Sequence, residues 1–355
     1  MDIGAVRLGR YAGVMVNRPA PKTVMALTLI LFFGSAVLIY FSCEYFVNGV
    51  EWLGKRLAVS QTATGTILAA FGTALPESVV TFVAVVFGHN AAEREIGIGA
   101  ALGGPLALST LAYGVVGLTL MGSARLKVRR KEALDVDSRR LSRDQGWFLS
   151  IFICKLALGL VAFPGKPWLG LLFIGAYALY VVKELRRDER TVDEGDLEPL
   201  KFRPSDPYPS LFWSALQTGI ALVVIFIASR VFVAQLDTIG PLLGLRPQLV
   251  ALLLSPIATE MPETMNAIIW VRQGKENMAL ANISGAMMIQ ATIPTAFGLF
   301  GTPWLFERPL ILAGGVTAIT VLALFFMFRG QRVTGKRLSW ASIFYLLFAG
   351  ALLLR

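Results

Sequence analysis

Long apolar blocks alternate with short polar connections along the chain. Blocks near the length of about 20 residues that a bilayer core requires fall at residues 23–48, 62–87, 96–120, 147–163, 168–185, 211–235, 247–271, 278–302, 309–328 and 338–354. The pattern predicts an all-α polytopic membrane protein of about ten transmembrane helices. No A-x-A-like cleavage site follows the first block, so that segment is expected to stay as a helix. The stretch 186–210, RRDERTVDEGDLEPLKFRPSDPYPS, is charged and proline-rich and divides the spans five and five. The predicted organisation is an N-terminal tail 1–22, a first five-helix unit 23–185, a cytoplasmic linker 186–210 and a second five-helix unit 211–355.

The two units repeat one another. A shift of 186 residues lays Phe46-Val47 on Phe232-Val233, Gly54 on Gly240, Leu68 on Leu254, Thr73 on Thr259, Pro76 on Pro262 and Glu77 on Glu263. After a four-residue indel, Gly103 meets Gly285 and Thr110 meets Thr292. Five is odd, so the second unit must be inverted relative to the first. The repeat cores, 62–120 and 247–302, are where a transporter of this construction holds its substrate.

Composition narrows the classes. Hydrophobic residues make up 55% of the chain and charged residues 16%, with a mean hydropathy of +0.64, which fits an integral membrane protein. Cys43 and Cys154 lie in separate apolar blocks and His89 is the single histidine, so thiolate and imidazole metal sites are excluded. The net charge of +10 does not point to nucleic acid, because the basic residues fall between spans without interleaved aromatics. Most of them lie in the connections after the odd-numbered spans. That places both termini outside and the linker in the cytoplasm.

Polar chemistry inside the spans centres on FGTALPES and SPIATEMPET. A proline within a span removes one backbone hydrogen bond and clashes with the carbonyl a turn earlier, so Pro76 and Pro262 are each expected to break their helix. Freed carbonyls are tolerated in lipid only inside protein or beside a wet cavity. Glu77 and Glu263 follow at the start of the second half-helix, where the dipole favours a carboxylate. Carbonyls and carboxylates together suit a hard cation such as Ca²⁺ or Na⁺. A charge at the bilayer centre costs about 2.5–3.5 kcal/mol on insertion scales, so these acids face protein. They either form an ion site or are held, protonated or paired with Arg230 or Lys155, for structural reasons. Glu260 is a third acid, without a twin, because Ala74 stands at its equivalent.

Smaller features carry paired readings. Asn282 and Ser284 either contact an ion or bridge helices. Glu44 and Arg230, at equivalent repeat positions, either form an ion pair between the units or leave the arginine to snorkel. Lys155 is expected to be structural. The glycines at 97, 99, 103 and 104 are read as helix packing, not as a phosphate loop.

The segments EYFVNGVEWLGKRLAVS, TGTILAAFGTALPES and IGIGAALGGPLALST resemble the first alpha-repeat of the sodium/calcium exchanger-like family, within the cation/calcium antiporter superfamily. LLLSPIATEMPET and NMALANISGAMMIQAT resemble the second. The resemblance implies two inverted five-helix repeats with broken helices at the PE motifs. It also implies a transporter, not an enzyme, without a cofactor, exchanging Ca²⁺ for Na⁺ by alternating access, in related branches for H⁺. The expected location is the cell (inner) membrane of a prokaryote. Partners are inorganic cations and membrane lipids; the oligomeric state stays open.

Carried over by position, the resemblance gives Glu77 and Glu263 the Ca²⁺, with Thr73 and Thr259 adding oxygens. Where the family reads TSLPE twice, this chain has Ala74 and Glu260 in place of serine. In the following helix Gly104 and Ala286 stand at serine positions, and Leu108 and Gln290 at the last asparagine or acid. Gln290 still offers an oxygen; Gly104 and Leu108 do not. The lost oxygens would serve coupling Na⁺, so coupling to H⁺ through Glu260 or the central pair stays open, since burial and a nearby like charge both favour a protonated carboxyl. A cation channel is the alternative of a different class. An intramembrane hydrolase lacks its residues: no Asp, His or GxSxG falls inside the predicted spans.

Overall fold

The computed structural model describes residues 22–60, 63–86, 91–125, 136–187, 197–242, 253, 255–330 and 333–353. The N-terminal tail through residue 21, the 188–196 part of the linker and the side chains of Pro76 and Glu77 lie outside the described residues. The regular elements are helices. They run α1 (Lys22–Arg56), α2 (a π-helical start, Thr64–Ala69, continuing as Ala70–Val86) and α3 (Ala91–Ala107, a π-helical stretch Leu108–Ala112, then Tyr113–Arg125). Next come α4 (Ser138–Leu160), α5 (Gly170–Arg187), α6 (Leu211–Leu242), α7 (Ser255–Thr259), α8 (Met261–Arg272) and α9 (Glu276–Gly301). The chain closes with α10 (Arg308–Arg329), α11 (Gly335–Ser339) and α12 (Ala341–Leu353).

Among the described residues six helices are long and apolar enough to cross a membrane: Met25–Arg56, Ile98–Gly122, Lys166–Arg186, Leu211–Phe232, Glu276–Gly301 and Arg308–Arg329. Local chemistry sets several ends. The Asp137 carboxylate accepts the Arg140 N–H at 3.0 Å and caps α4. Proline occupies the first turn of α8 and of α10, a position whose own helix does not need its missing N–H.

α9 forms the centre and packs against α2, α3, α4, α5 and α8. It and α3 are buried along most of their length, whereas α1, α5 and α6 turn rows of large apolar side chains outward, among them Ile30, Phe33, Leu172, Val223 and Ile227. Such faces suit hydrocarbon, which demands only that backbone polar groups be satisfied within the helix. α1 and α6 lie along one another, with Phe32 stacked on Phe232 at 4.4 Å between ring centroids. The described end of the linker straps this pair: Asn48 and Trp52 donate to the Glu198 carbonyl, and Arg56 to the carbonyls of Tyr208 and Pro209.

Small residues let α2, α3, α7 and α9 meet closely. A methyl on Gly285 would collide with the Thr66 carbonyl and lie 2.8 Å from the Ala70 Cβ. One on Gly103 would lie 2.7 Å from the Pro256 ring.

Two expectations fail here. α2 carries Pro76 within Ala70–Val86 instead of breaking there, while the second unit is interrupted between α7 and α8 at Glu260 (φ −89°, ψ 7°). A proline removes one hydrogen bond and can be absorbed as a kink. The second unit adds a polar side chain that a neighbouring helix holds, whereas the equivalent Ala74 is a buried methyl. Second, α4 begins at Ser138, nine residues before the predicted span, and so carries the buried Asp144 and Gln145.

Candidate ion site

The interruption brings two acids inside. Glu260 and Glu263 are 2% and 1% exposed. The Glu260 N–H still donates to the Pro256 carbonyl and its own carbonyl accepts from the Thr264 N–H, both at 3.1 Å, so the bend leaves few backbone groups unsatisfied. Pro262 follows, without an N–H to offer the carbonyl at residue 258. Glu263 sits in the first turn of α8, where the helix dipole favours negative charge.

α9 supplies the facing polar groups. Gln290 Nε2 donates to Glu260 Oε1 at 2.8 Å, and Asn282 Nδ2 approaches the Glu263 carbonyl at 3.5 Å. From the first unit, Gly104 on α3 leaves room for the first of these bonds. A methyl there would stand 2.7 Å from Gln290 Oε1 and 2.9 Å from Glu260 Oε1. Three departures from the resembled motif, Gly104, Glu260 and Gln290, thus fill one space.

The threonines are placed alike. Thr73 donates its hydroxyl proton to the Ala69 carbonyl at 3.0 Å, and Thr259 to the Pro256 carbonyl at 3.3 Å. Each hydroxyl oxygen keeps acceptor capacity. Glu77 lies on α2 one helical turn after Thr73; its side chain is outside the described residues. Among the described residues no three acidic, histidine or cysteine side chains gather as a metal cluster.

Ser284 bridges helices. Its hydroxyl lies 2.8 Å from the Tyr113 hydroxyl, and Gln145 Nε2 donates to both, tying α9 to α3 and α4. Beside this network are Asp144, Tyr180 and the Arg140–Glu184 ion pair. Sequence reading missed this cluster because it began the fourth span too late; the Asp137 cap was the available signal.

Glu44 and Arg230 form no ion pair with each other among the described residues; each has a local partner. Glu44 pairs with Lys201 of the linker at 3.4 Å, and the exposed Arg230 guanidinium lies over the Phe226 ring at 5.7 Å. A long cationic side chain on an outward face keeps its head toward polar surroundings, as the snorkelling alternative has it.

Comparison with known proteins agrees with this construction. Over 92% of the chain the fold superimposes on 99% of the sodium-calcium exchanger NCX_Mj soaked with 10 mM Na⁺ and zero Ca²⁺, with a TM-score of 0.71 at 18% identity. The inner membrane protein YrbG of Escherichia coli (strain K12) is 25% identical over 286 residues, 79% of this chain and 81% of that protein. Cation/calcium exchanger 1 of Arabidopsis thaliana is 28% identical over 142 residues, 39% of this chain and 22% of that one. The profile described as sodium/calcium exchanger protein matches residues 27–184 and 213–354, and the chain belongs to that family.

Proposed function

We propose that this protein is a secondary active antiporter that moves Ca²⁺ across the membrane in exchange for Na⁺ by alternating access. The observation that carries it is the interrupted helix at Glu260–Glu263, which holds two carboxylates inside a polytopic chain of the exchanger family. Such burial is costly without a cationic ligand or partners, so intramembrane acids mark ion paths.

In this reading Glu77 and Glu263 coordinate the divalent ion, Thr73 and Thr259 add oxygens, and Glu260 with Gln290 completes one side. Asn282 positions Glu263 through its carbonyl. Ca²⁺ takes six to eight oxygen ligands in flexible geometry, which a set of carboxylates, hydroxyls and freed carbonyls can supply. The two units form inverted five-helix repeats, making ten spans. Reciprocal packing supports this: Gly285 meets Ala70 and Gly103 meets Pro256, and these are equivalent positions of the two repeats. Both termini lie outside and the linker inside, in the inner membrane of a prokaryote; for the membrane alone, the support is that the relative YrbG is an inner membrane protein.

H⁺ in place of Na⁺ is the second reading. The observation favouring it is that Gly104 brings no oxygen to the Glu260–Gln290 pair it packs against. Uptake of ⁴⁵Ca²⁺ into proteoliposomes under imposed Na⁺ or H⁺ gradients separates the two. Glu77→Gln and Glu263→Gln are expected to abolish uptake; wild-type transport by both variants would overturn the site.

A further inference from the structure

Two prolines outside the PE motifs converge on one side chain. Pro105 lies in α3 and Pro294 in α9. Neither has an N–H, so each withholds the helical hydrogen bond from the carbonyl four residues earlier, that of Ala101 and that of Gln290. The fully buried Lys155 of α4 meets both: Nζ donates to the Ala101 carbonyl at 2.6 Å and to the Gln290 carbonyl at 3.2 Å. Aromatic rings complete the enclosure, with the ammonium 5.4 Å from the Phe152 ring centroid and 5.9 Å from that of Trp304. The Trp304 indole N–H in turn approaches the Lys155 carbonyl at 3.4 Å.

A pair of carbonyls from two helices, flanked by aromatic faces, is a cation site. Carbonyl oxygens replace a monovalent ion's hydration shell in the same manner, and ring faces attract cations. Here the cation is covalently attached. The site also touches the acidic one through Gln290, which accepts from Lys155 with its backbone carbonyl and donates to Glu260 with its side-chain amide.

We propose that Lys155 is a tethered cation of the transport site, filling the carbonyl pair freed by Pro105 and Pro294 in place of a mobile monovalent ion and offsetting the extra carboxylate Glu260. This rests on the reading of Glu77, Glu260 and Glu263 as the acidic site. The charge arithmetic is then simple. Three carboxylates against one fixed ammonium leave two negative charges, which one divalent cation neutralises. Glu260 needs no monovalent ion or proton of its own, so the counter-ion exchanges at the Glu77–Glu263 pair.

Purified full-length protein tests this without any transport. Lys155→Ala removes the side chain beyond Cβ, and n-propylammonium restores the atoms removed. The unfolding midpoint of Lys155→Ala in detergent is expected to fall below wild type and to rise saturably with n-propylammonium. Tetramethylammonium, a cation without N–H donors, should not raise it, and wild type should respond to neither. In a Pro105→Ala/Pro294→Ala background, where both carbonyls regain helical donors, Lys155→Ala should lower the midpoint by less than half as much. If Lys155→Ala does not fold with the native prolines, the proposal requires that it fold in the double-alanine background. No difference between the two amines, an equal drop in both backgrounds, or failure to fold in both overturns it. Ca²⁺ uptake by the same samples is read separately: wild-type uptake lost in Glu263→Gln upholds the acidic site whichever way the amine experiment falls.

Discussion

Replacing Gly104 by alanine tests the fit between the two units at the acidic site. The new methyl would lie 2.7 Å from Gln290 Oε1, 2.9 Å from Gln290 Cδ and 2.9 Å from Glu260 Oε1. Carbon and oxygen settle at about 3.3–3.6 Å, so each oxygen must withdraw by roughly half an ångström. The two side chains are joined by a 2.8 Å hydrogen bond from Gln290 Nε2 to Glu260 Oε1 inside a fully packed region, so at least one must give up that geometry. Overpacking costs about 1–3 kcal/mol, and a hydrogen bond to a charged group contributes about 1.5–3 kcal/mol. These overlap because relieving one spends the other, which gives about 2–3 kcal/mol in total. At about 2 °C per kcal/mol for a large chain, the unfolding midpoint should fall by about 4–6 °C. Gly99→Ala on the same helix is the control, because nothing lies within 4 Å of its added methyl, and it should be neutral or stabilising by up to about 1 kcal/mol. In a Glu260→Ala background the Gln290 amide is free to turn away, and Gly104→Ala should then cost under about 1 kcal/mol. A Gly104→Ala protein that melts with wild type, or a double variant whose losses simply add, would refute this packing argument.

Three other outcomes are expected. Gly285→Ala drives a methyl into the Thr66 carbonyl, a backbone atom that cannot rotate aside, and should destabilise by at least about 3 kcal/mol in detergent unfolding, with Gly350→Ala, which meets nothing, unaffected. Glu51→Ala leaves the Trp270 indole N–H and the Lys275 ammonium without an acceptor that now stands at 2.9 and 2.5 Å, and the unfolding free energy should drop by about 1.5–3 kcal/mol. Asn48→Ala removes the side-chain oxygen that accepts the Lys201 amide, and hydrogen exchange should quicken at Lys201 while the Phe202 amide, held by Gln217 Oε1, is less affected.

Much of the fold is legible in the residues alone. The apolar blocks foretold the helices because a membrane leaves the backbone few alternatives, and the repeated Thr-x-x-Pro-Glu pattern led to Glu263, which does lie buried at a helix start. What the residues could not reveal was anything depending on a partner helix. Pro76 and Pro262 look alike in the sequence, yet only the second lies beside an interruption, at Glu260, because Gln290 reaches that acid from α9. Glu44 and Arg230 occupy equivalent positions but lie on outward flanks of α1 and α6, and local partners claim them. Lys155 looked like a structural lysine because its acceptors are backbone carbonyls, which carry no residue signature. The usable clue was arithmetic: Pro105 and Pro294 each stand four residues beyond one of them.

The close seat of Gly104 against Glu260 and Gln290 also limits the order in which mutations can build such a site. A lineage with any side chain at position 104 that acquires an acid at 260 passes through a crowded intermediate, carrying a penalty of about 2 kcal/mol or more before any benefit arrives. Loss of the side chain at 104 first opens space that an acid can later occupy. The route in which glycine precedes glutamate avoids that penalty, and replacing Gly104 alone carries it for as long as Glu260 remains.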